Sequence, residues 1–158
     1  MTRWAGVIIV IGVALALRGY LANWSLWLDE LLIVEQIIDR SFAGLTEQLT
    51  NGQNAPIGWL WAVKAATLGL GESEYALRLV PLLAGAAAAP IGWLAMRRIA
   101  GPRAGLIALA VFVLAWPTSA YAATVKQYST DVLVATLILW AAARAAGLRP
   151  GSFEAEAR

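Results

Sequence analysis

The sequence contains no cysteine, which excludes a disulfide framework, a thiolate nucleophile and a cysteine metal site. It contains no histidine either, so the usual general base and the commonest metal ligand are missing. Charged residues make up only 14% of the 158 residues, too few to cover the surface of a soluble domain of this size. Any acid–base chemistry must therefore use carboxylates, lysine or tyrosine.

Apolar residues are abundant, at 60% of the chain, and the mean hydropathy is +0.67. A membrane-spanning helix needs about 20 mostly apolar residues. Four runs meet this description, at 4–22, 75–96, 104–121 and 131–148. The first run also resembles a signal peptide, but since the chain spans again we predict that it is retained. The sequence therefore predicts an all-α, polytopic membrane protein in which 1–149 form one membrane module and 150–158 a polar tail.

A fifth apolar run, 55–71, is ambiguous because Lys64 lies at its centre. A lysine at mid-membrane costs about 2.5–3.5 kcal/mol. If this run lies on the membrane surface, seven arginines fall on one side, which is then the cytoplasm under the positive-inside rule: Arg3, Arg97, Arg98, Arg103, Arg144, Arg149 and Arg158. We therefore predict a surface or re-entrant helix, a cytoplasmic N-terminus and a long outward loop at 23–74.

Within this loop, residues 29–40 predict an amphipathic helix. Leu31, Val34 and Ile38 share one face by helical spacing. Such a helix lies on a membrane with its apolar face down. Polar residues and turn signals then fill 41–54.

Three outward segments carry candidate functional residues, each with a structural alternative. Asp29 lies at an apolar boundary, where a carboxylate can have a raised pKa and act as a base, but it also suits a helix N-cap. Lys126 suits a phosphate and Asp131 a metal ion or sugar hydroxyl, although residues 129–131 are also natural caps. Arg78 is either a phosphate clamp or a snorkelling arginine. Residues 53–56 line a pocket or, more simply, form a turn.

The order of these segments resembles the N-terminal part of GT-C fold glycosyltransferases. The likeness is to protein O-mannosyltransferases, lipid A aminoarabinose transferases and related sugar transferases. Its motifs are Leu-Asp-Glu at 28–30, Asn-Ala-Pro-Ile-Gly-Trp-Leu at 54–60, the segment 69–81 that leads into the second span, Arg-Arg-Ile-Ala-Gly at 97–101 and Val-Lys-Gln-Tyr-Ser-Thr-Asp at 125–131. Together they extend over 4–148.

The resemblance implies a transferase that takes sugar from a polyprenyl-phosphate donor at the periplasmic face of a bacterial inner membrane. The acceptor is then a lipid, glycan or protein, and no nucleic acid is involved. Asp29 becomes the base and Glu30 its support. Lys126, Arg78 and Tyr128 would contact the donor, and Asp131 would lie near the sugar or a divalent metal ion.

Two departures from the family pattern keep other functions open. A second proline that family members commonly have is missing before Pro56. Family members also usually have around a dozen spans, whereas four are predicted in this sequence. The alternatives are a non-catalytic membrane subunit that needs a partner or a missing C-terminal part, a degenerate relic, or a carrier of lipid-linked sugar.

Overall fold

A computed structural model describes residues 2–150, and all regular structure in that part of the chain is helical, which confirms the all-α prediction there. The helices are α1 (Thr2–Ala22), α2 (Leu28–Asp39), α3 (Ile57–Leu70), α4 (Glu74–Ile99), α5 (Gly101–Leu114), α6 (Trp116–Tyr121) and α7 (Tyr128–Ala145). A short 3₁₀ turn at Gly44–Thr46 follows α2. Nearly all of the predicted polar tail, residues 151–158, lies outside the described residues.

The long helices pack around α4, which contacts α1, α5 and α7. Glycines permit this close approach. A Cβ atom added at Gly105 of α5 would lie 2.9 Å from the backbone nitrogen of Arg97 in α4, and one at Gly92 of α4 would lie 3.3 Å from the side chain of Thr136 in α7. Small residues at helix interfaces are typical of helices that pack inside a bilayer.

Two helices, Arg3–Ala22 and Glu74–Ile99, are long and apolar enough to cross a membrane by length and composition. They correspond to the first two predicted spans. The third predicted span, 104–121, is divided between α5 and α6 at Ala115, whose backbone is extended. The reason is Pro117, which has no N–H to continue the helical hydrogen bonds and instead lies in the first turn of α6. Helix α7 begins at Tyr128, three residues before the predicted fourth span.

The long loop folds into a compact outer layer of α2, the 3₁₀ turn and α3. Its apolar core includes Ile33, Ile37, Leu60, Val63 and Val125. Because Val125 belongs to the connection between α6 and α7, this core fixes the outer layer to that connection.

The predicted apolar face of α2 is partly wrong. The buried residues of this helix are Glu30, Ile33, Val34, Gln36 and Ile37, whereas Leu31 is 42% exposed. The buried Gln36 accepts a hydrogen bond from the backbone N–H of Thr50 at 2.7 Å. The buried face of α2 is therefore displaced from the predicted one, because α2 packs against α3 and the segment that connects the two helices.

Lys64 is buried in α3 and needs no partner from outside the chain. Its ammonium donates hydrogen bonds to the carbonyls of Ile37 at 2.9 Å and Ile38 at 3.1 Å. These carbonyls lie in the last turn of α2, where cations are favoured. The lysine that made this segment ambiguous therefore joins α3 to α2.

Candidate functional site

Three side chains from distant parts of the sequence meet in one closed polar triangle. Asp29 lies in the first turn of α2, Gln53 in the turn before α3, and Lys126 just before α7. The Lys126 ammonium lies 2.9 Å from Oδ2 of Asp29 and donates to Oε1 of Gln53 at 2.7 Å. The Gln53 amide donates to Oδ1 of Asp29 at 3.0 Å. The structure thus brings the predicted base and the predicted phosphate-binding lysine into direct contact.

The two charged groups of the triangle differ in exposure. The Asp29 side chain is 65% exposed, whereas that of Lys126 is 8% exposed. An ammonium has three N–H donors, and the two contacts above use two of them. The triangle therefore presents an accessible carboxylate beside an enclosed cation, one of whose three N–H groups is not used within the triangle.

The pKa of Asp29 is lowered from its ordinary value of 3.8, which corrects the expected rise. The hydrogen bond from Lys126 is the largest cause, followed by the hydrogen bond from Gln53, while desolvation acts in the opposite direction. Asp29 is therefore ionised at neutral pH. It is a weak base while Lys126 remains paired with it, because basicity falls with pKa.

Glu30 is buried, with only 3% of its surface exposed. Its carboxylate accepts hydrogen bonds from the backbone N–H groups of Val125 and Trp27. The first of these bonds fixes the residue next to Lys126 against the start of α2. Glu30 thus lies where it can fix the start of α2 against the residue next to Lys126, and its predicted role as support for Asp29 stays a prediction.

Arg78 does not join the triangle. Its buried guanidinium donates to the side chain of Asn23 at 3.0 Å and to the carbonyl of Trp24, and it contacts Glu74 at 3.3 Å. These bonds hold the connection between α1 and α2 against the start of α4. The two terminal nitrogens of Arg78 thus have protein partners, whereas its buried Nε has none. Its predicted phosphate-binding role stays a prediction.

Tyr128 and Asp131 lie in the first turn of α7, so the residues predicted as caps are helical. The Tyr128 ring packs against that of Tyr121, with ring centres 4.7 Å apart, and lines a cleft together with Thr118 and Ser129. Asp131 is exposed. Within residues 2–150 no three acidic side chains come close enough to hold a metal ion, so the geometry gives no support to the predicted divalent site.

Gln53 was not selected as a site residue from the sequence. Residues 53–56 were predicted to line a pocket or, more simply, to form a turn, and a turn is present at residues 51–52. The amide of Gln53 nevertheless joins both charges and is 9% exposed. A second glutamine also joins the turn before α3 to the residues before α7, because the side chain of Gln127 donates a hydrogen bond to the carbonyl of Asn54 at 3.3 Å. Turn composition signals a bend in the chain but not which distant side chain the bend faces.

Two exposed tryptophans lie shortly before the exposed carboxylate in the sequence. Trp24 and Trp27 are 74% and 76% exposed and precede Asp29 closely in sequence. Exposed tryptophans of this kind are typical of membrane–water interfaces. They are consistent with a site at the membrane surface.

Comparisons with protein-family models, with curated proteins and with solved structures found no match to this chain.

Proposed function

We propose that this chain is a multi-pass protein of a bacterial inner membrane, with its N-terminus in the cytoplasm and the loop 23–74 outside. Large apolar side chains on the outer faces of α1, α5 and α7 support this, including Val10, Leu21, Val111 and Ile138, each more than 60% exposed. Such faces are costly in water but favourable in lipid. In this topology α1, α4, the pair α5–α6 and α7 form the four spans.

The distribution of arginines between the two ends of the bundle supports the proposed orientation. Arg98 donates to the carbonyl of Leu148 at 2.9 Å, so the C-terminal ends of α4 and α7 lie together. Arg97 and Arg144 each lie over a tryptophan ring, at 4.9 and 5.0 Å. Arginine–tryptophan pairs suit the membrane interface, and an arginine-rich end suits the cytoplasm. The triangle then lies at the opposite, outer end.

This topology predicts which positions a membrane-impermeant maleimide labels in intact cells. The chain has no native cysteine, so single cysteines at the exposed positions Glu47, Glu72 and Arg103 give unambiguous signals. We expect labelling of Glu47→Cys and Glu72→Cys from outside, and labelling of Arg103→Cys only after the membrane is permeabilised. Labelling of 47 and 72 from opposite sides would mean that α3 spans the membrane and would overturn the four-span topology.

We propose further that the outer site transfers a sugar from a polyprenyl-phosphate donor to the hydroxyl of a lipid, glycan or protein acceptor. The observation that carries this is the exposed Asp29 carboxylate paired with the enclosed Lys126 ammonium. Asp29 takes the hydroxyl proton while the acceptor oxygen bonds to the anomeric carbon. The bond from that carbon to the phosphate oxygen breaks, and its electron pair stays on the lipid phosphate. Lys126 stabilises this negative charge.

The pairing of the two residues gives donor binding a second effect. A bound donor phosphate competes with Asp29 for the Lys126 ammonium. As the lysine turns toward the phosphate, the main cause of the lowered Asp29 pKa is weakened. The carboxylate then becomes a stronger base at the moment when the donor is in place.

A non-catalytic membrane subunit is the second candidate. The triangle satisfies its own polar groups, and such a network also serves to fix α2 against the connection 122–127. In that case neither charge has a substrate, and removing one alters stability without altering any ligand affinity.

Donor binding separates the two candidates. We expect the purified protein, expressed from its own gene, to bind a polyprenyl-phosphate hexose, observed as a change in the fluorescence of its eight tryptophans. The corresponding free polyprenol should bind at least tenfold more weakly, since it offers Lys126 no charge. A nucleotide sugar is the control ligand and should not compete. Equal binding of the polyprenol and the phosphate, or no binding of either, would contradict the transferase proposal.

A further inference from the structure

The charged residues of the described chain are segregated between the two ends of the helix bundle. Every acidic residue up to position 150 lies in the outer segment 29–74 or at Asp131, in the first turn of α7. The opposite end, formed by the last turns of α4 and α7 and the first turn of α5, carries only basic charges. The arginines of these three turns, called the inner arginine patch below, are Arg97, Arg98, Arg103 and Arg144.

Contacts between the three helices hold this patch together. The guanidinium of Arg98, at the end of α4, donates a hydrogen bond at 2.9 Å to the carbonyl of Leu148, just beyond α7. Helix α5 packs on the same turn of α4, because a Cβ atom added at Gly105 would lie 2.9 Å from the backbone nitrogen of Arg97. The arginines of the patch therefore come from neighbouring helix ends, and their charges act at one place on the molecule.

Two of these arginines are positioned by aromatic rings and not by acidic partners. The guanidinium of Arg97 lies 4.9 Å from the ring centre of Trp93, one helical turn earlier in α4. The guanidinium of Arg144 lies 5.0 Å from the ring centre of Trp140 in the same way. No carboxylate of the described residues forms an ion pair with either arginine. A cation–π contact fixes a guanidinium but supplies none of the oxygen acceptors that its five N–H donors take, so both arginines are held in place with donors available for an anion.

The surface next to Arg97 is apolar as well as charged. Trp93, the ring beneath this arginine, also lines a cavity of about 150 Å³ between the helices. The other side chains that line this cavity are almost all apolar, among them Met96 of α4, Ala108 of α5 and Leu139 of α7. A ligand bound at Arg97 therefore meets positive charge at the end of the bundle and hydrocarbon directly beneath it.

This combination restricts the partner to an anionic amphiphile. The helix dipoles account for cations in the last turns of α4 and α7, and snorkelling accounts for their reach to the interface, but neither supplies an acceptor for their N–H groups. An acidic protein segment or a nucleic acid would neutralise the charges and leave the apolar cavity uncovered. A membrane lipid with a phosphate in its headgroup satisfies both parts, and basic pockets between helix ends on the cytoplasmic side are typical sites for such lipids.

We propose that the inner arginine patch binds an anionic phospholipid, whose phosphate is held by Arg97 within the field of the other three arginines and one of whose acyl chains lies against Trp93. The inference goes beyond sugar transfer and rests only on the proposed membrane topology. A lipid bound in this way fixes the depth of the inner end of α4 in the headgroup region of the inner leaflet. Because α1, α5 and α7 all pack against α4, the bound lipid stabilises the position of the whole bundle.

Native mass spectrometry of the purified protein, expressed from its own gene and kept in detergent, tests this site independently of its orientation in a membrane. The ligands are phosphatidylglycerol and phosphatidylcholine with the same acyl chains. We expect phosphatidylglycerol to bind at least tenfold more tightly than phosphatidylcholine. Equal affinities would overturn the proposal. Displacement of phosphatidylglycerol by inorganic phosphate or by polyglutamate would overturn it in favour of a soluble anion or an acidic protein segment.

Removal of charge from the patch gives matched variants. One basic side chain near an anionic headgroup contributes about fivefold in affinity. Arg97→Gln should therefore weaken the binding of phosphatidylglycerol about fivefold, and Arg97→Gln combined with Arg144→Gln about 25-fold, with the binding of phosphatidylcholine unchanged. Arg18→Gln is the control, because Arg18 is exposed but lies near the opposite end of α1. Wild-type affinity in a double variant that keeps its helix content, or an equal loss in Arg18→Gln, would overturn the proposal.

The position of the acyl chain is tested by fluorescence quenching in phosphatidylcholine vesicles. Phosphatidylglycerol with brominated acyl chains should quench the tryptophan fluorescence of the protein more strongly than brominated phosphatidylcholine at the same mole fraction. Trp93→Phe keeps an aromatic ring beneath Arg97 but removes the tryptophan closest to the proposed lipid, so the excess quenching should fall at least twofold. Trp116→Phe, at a position that is 75% exposed near the outer end of the bundle, is the control and should keep the excess. An excess that is unchanged in Trp93→Phe would overturn the proposal.

Discussion

Replacement of Asp29 by asparagine is expected to lower the rate of sugar transfer by about 10²–10⁴-fold, the contribution typical of a positioned general base. Asparagine has nearly the same shape as aspartate, and its amide oxygen still accepts a hydrogen bond from Lys126. In the proposed mechanism the donor phosphate competes with Asp29 for Lys126, so the variant should bind the donor at least as tightly as the wild-type protein. The loss should therefore appear in kcat and not in the dissociation constant of the donor.

The matched control for this variant is Asp39→Asn. Asp39 is the last residue of the same helix, is exposed, and lies outside the triangle. The Asp39→Asn variant should transfer sugar at the wild-type rate. A loss of rate in both variants would mean that substitution in α2 disturbs this helix, and not that a base has been removed. Wild-type turnover by purified Asp29→Asn would show that Asp29 is not the base.

Replacement of Lys126 by methionine is expected to lower transfer by about 10²–10³-fold, the cost typical of losing one group that stabilises charge in the transition state. Methionine keeps much of the side-chain volume but removes the cation that receives the developing phosphate charge. Donor affinity should fall as well, which distinguishes this variant from Asp29→Asn. Lys126→Arg keeps the charge and is expected to recover part of both losses.

The same variant tests the electrostatics of the pair. In the wild-type protein the Lys126 hydrogen bond is the largest cause of the lowered Asp29 pKa, so Lys126→Met should raise that pKa toward its ordinary value. The sequence has only three aspartates, at 29, 39 and 131. Carbon-13 NMR of aspartate-labelled protein can therefore follow each carboxyl, with Asp39→Asn and Asp131→Asn to assign the signals. An unchanged Asp29 pKa in Lys126→Met would contradict the ion pair.

The sign of the pH effect on stability follows from the lowered pKa. A carboxyl whose folded-state pKa is lowered contributes stability above its unfolded-state pKa and loses it as the pH falls through the folded-state value. The contribution of the Asp29–Lys126 pair is therefore complete at neutral pH and is lost on acidification below the ordinary value of 3.8. Lys126→Met should show a smaller acid-dependent step, since only the hydrogen bond from Gln53 then lowers the Asp29 pKa.

The helices could be predicted from the sequence more accurately than their contacts. Apolar runs located α1 and α4 because long apolar stretches satisfy their backbone polar groups most simply as helices. The break between α5 and α6 was not predicted, although Pro117 is a local signal for it. Helical spacing also placed the buried face of α2 only partly correctly, because spacing shows that a helix has an apolar side but not which neighbour covers it.

The candidate site was only partly predictable for the same reason. Asp29 and Lys126 were selected by residue type and by resemblance, and the fold places them in contact. Their partner Gln53 has no distinguishing pattern, and the anchoring role of Arg78 depends on Asn23 and the Trp24 carbonyl, which no periodicity connects to it. The direction of the Asp29 pKa shift was wrong because position predicted an apolar boundary but could not supply the lysine beside it.

The central claim is that this protein moves a sugar from a lipid phosphate at its outer face. The most direct test is the release of free polyprenyl phosphate from a polyprenyl-phosphate hexose by the protein expressed from its own gene, in sealed vesicles whose orientation is known from labelling of Glu47→Cys. The account predicts release together with transfer of the labelled hexose when the loop 23–74 faces the side that holds donor and acceptor, and no release in the opposite orientation. Release no faster than in protein-free vesicles, in a preparation that binds the donor, would contradict the claim and favour a non-catalytic subunit.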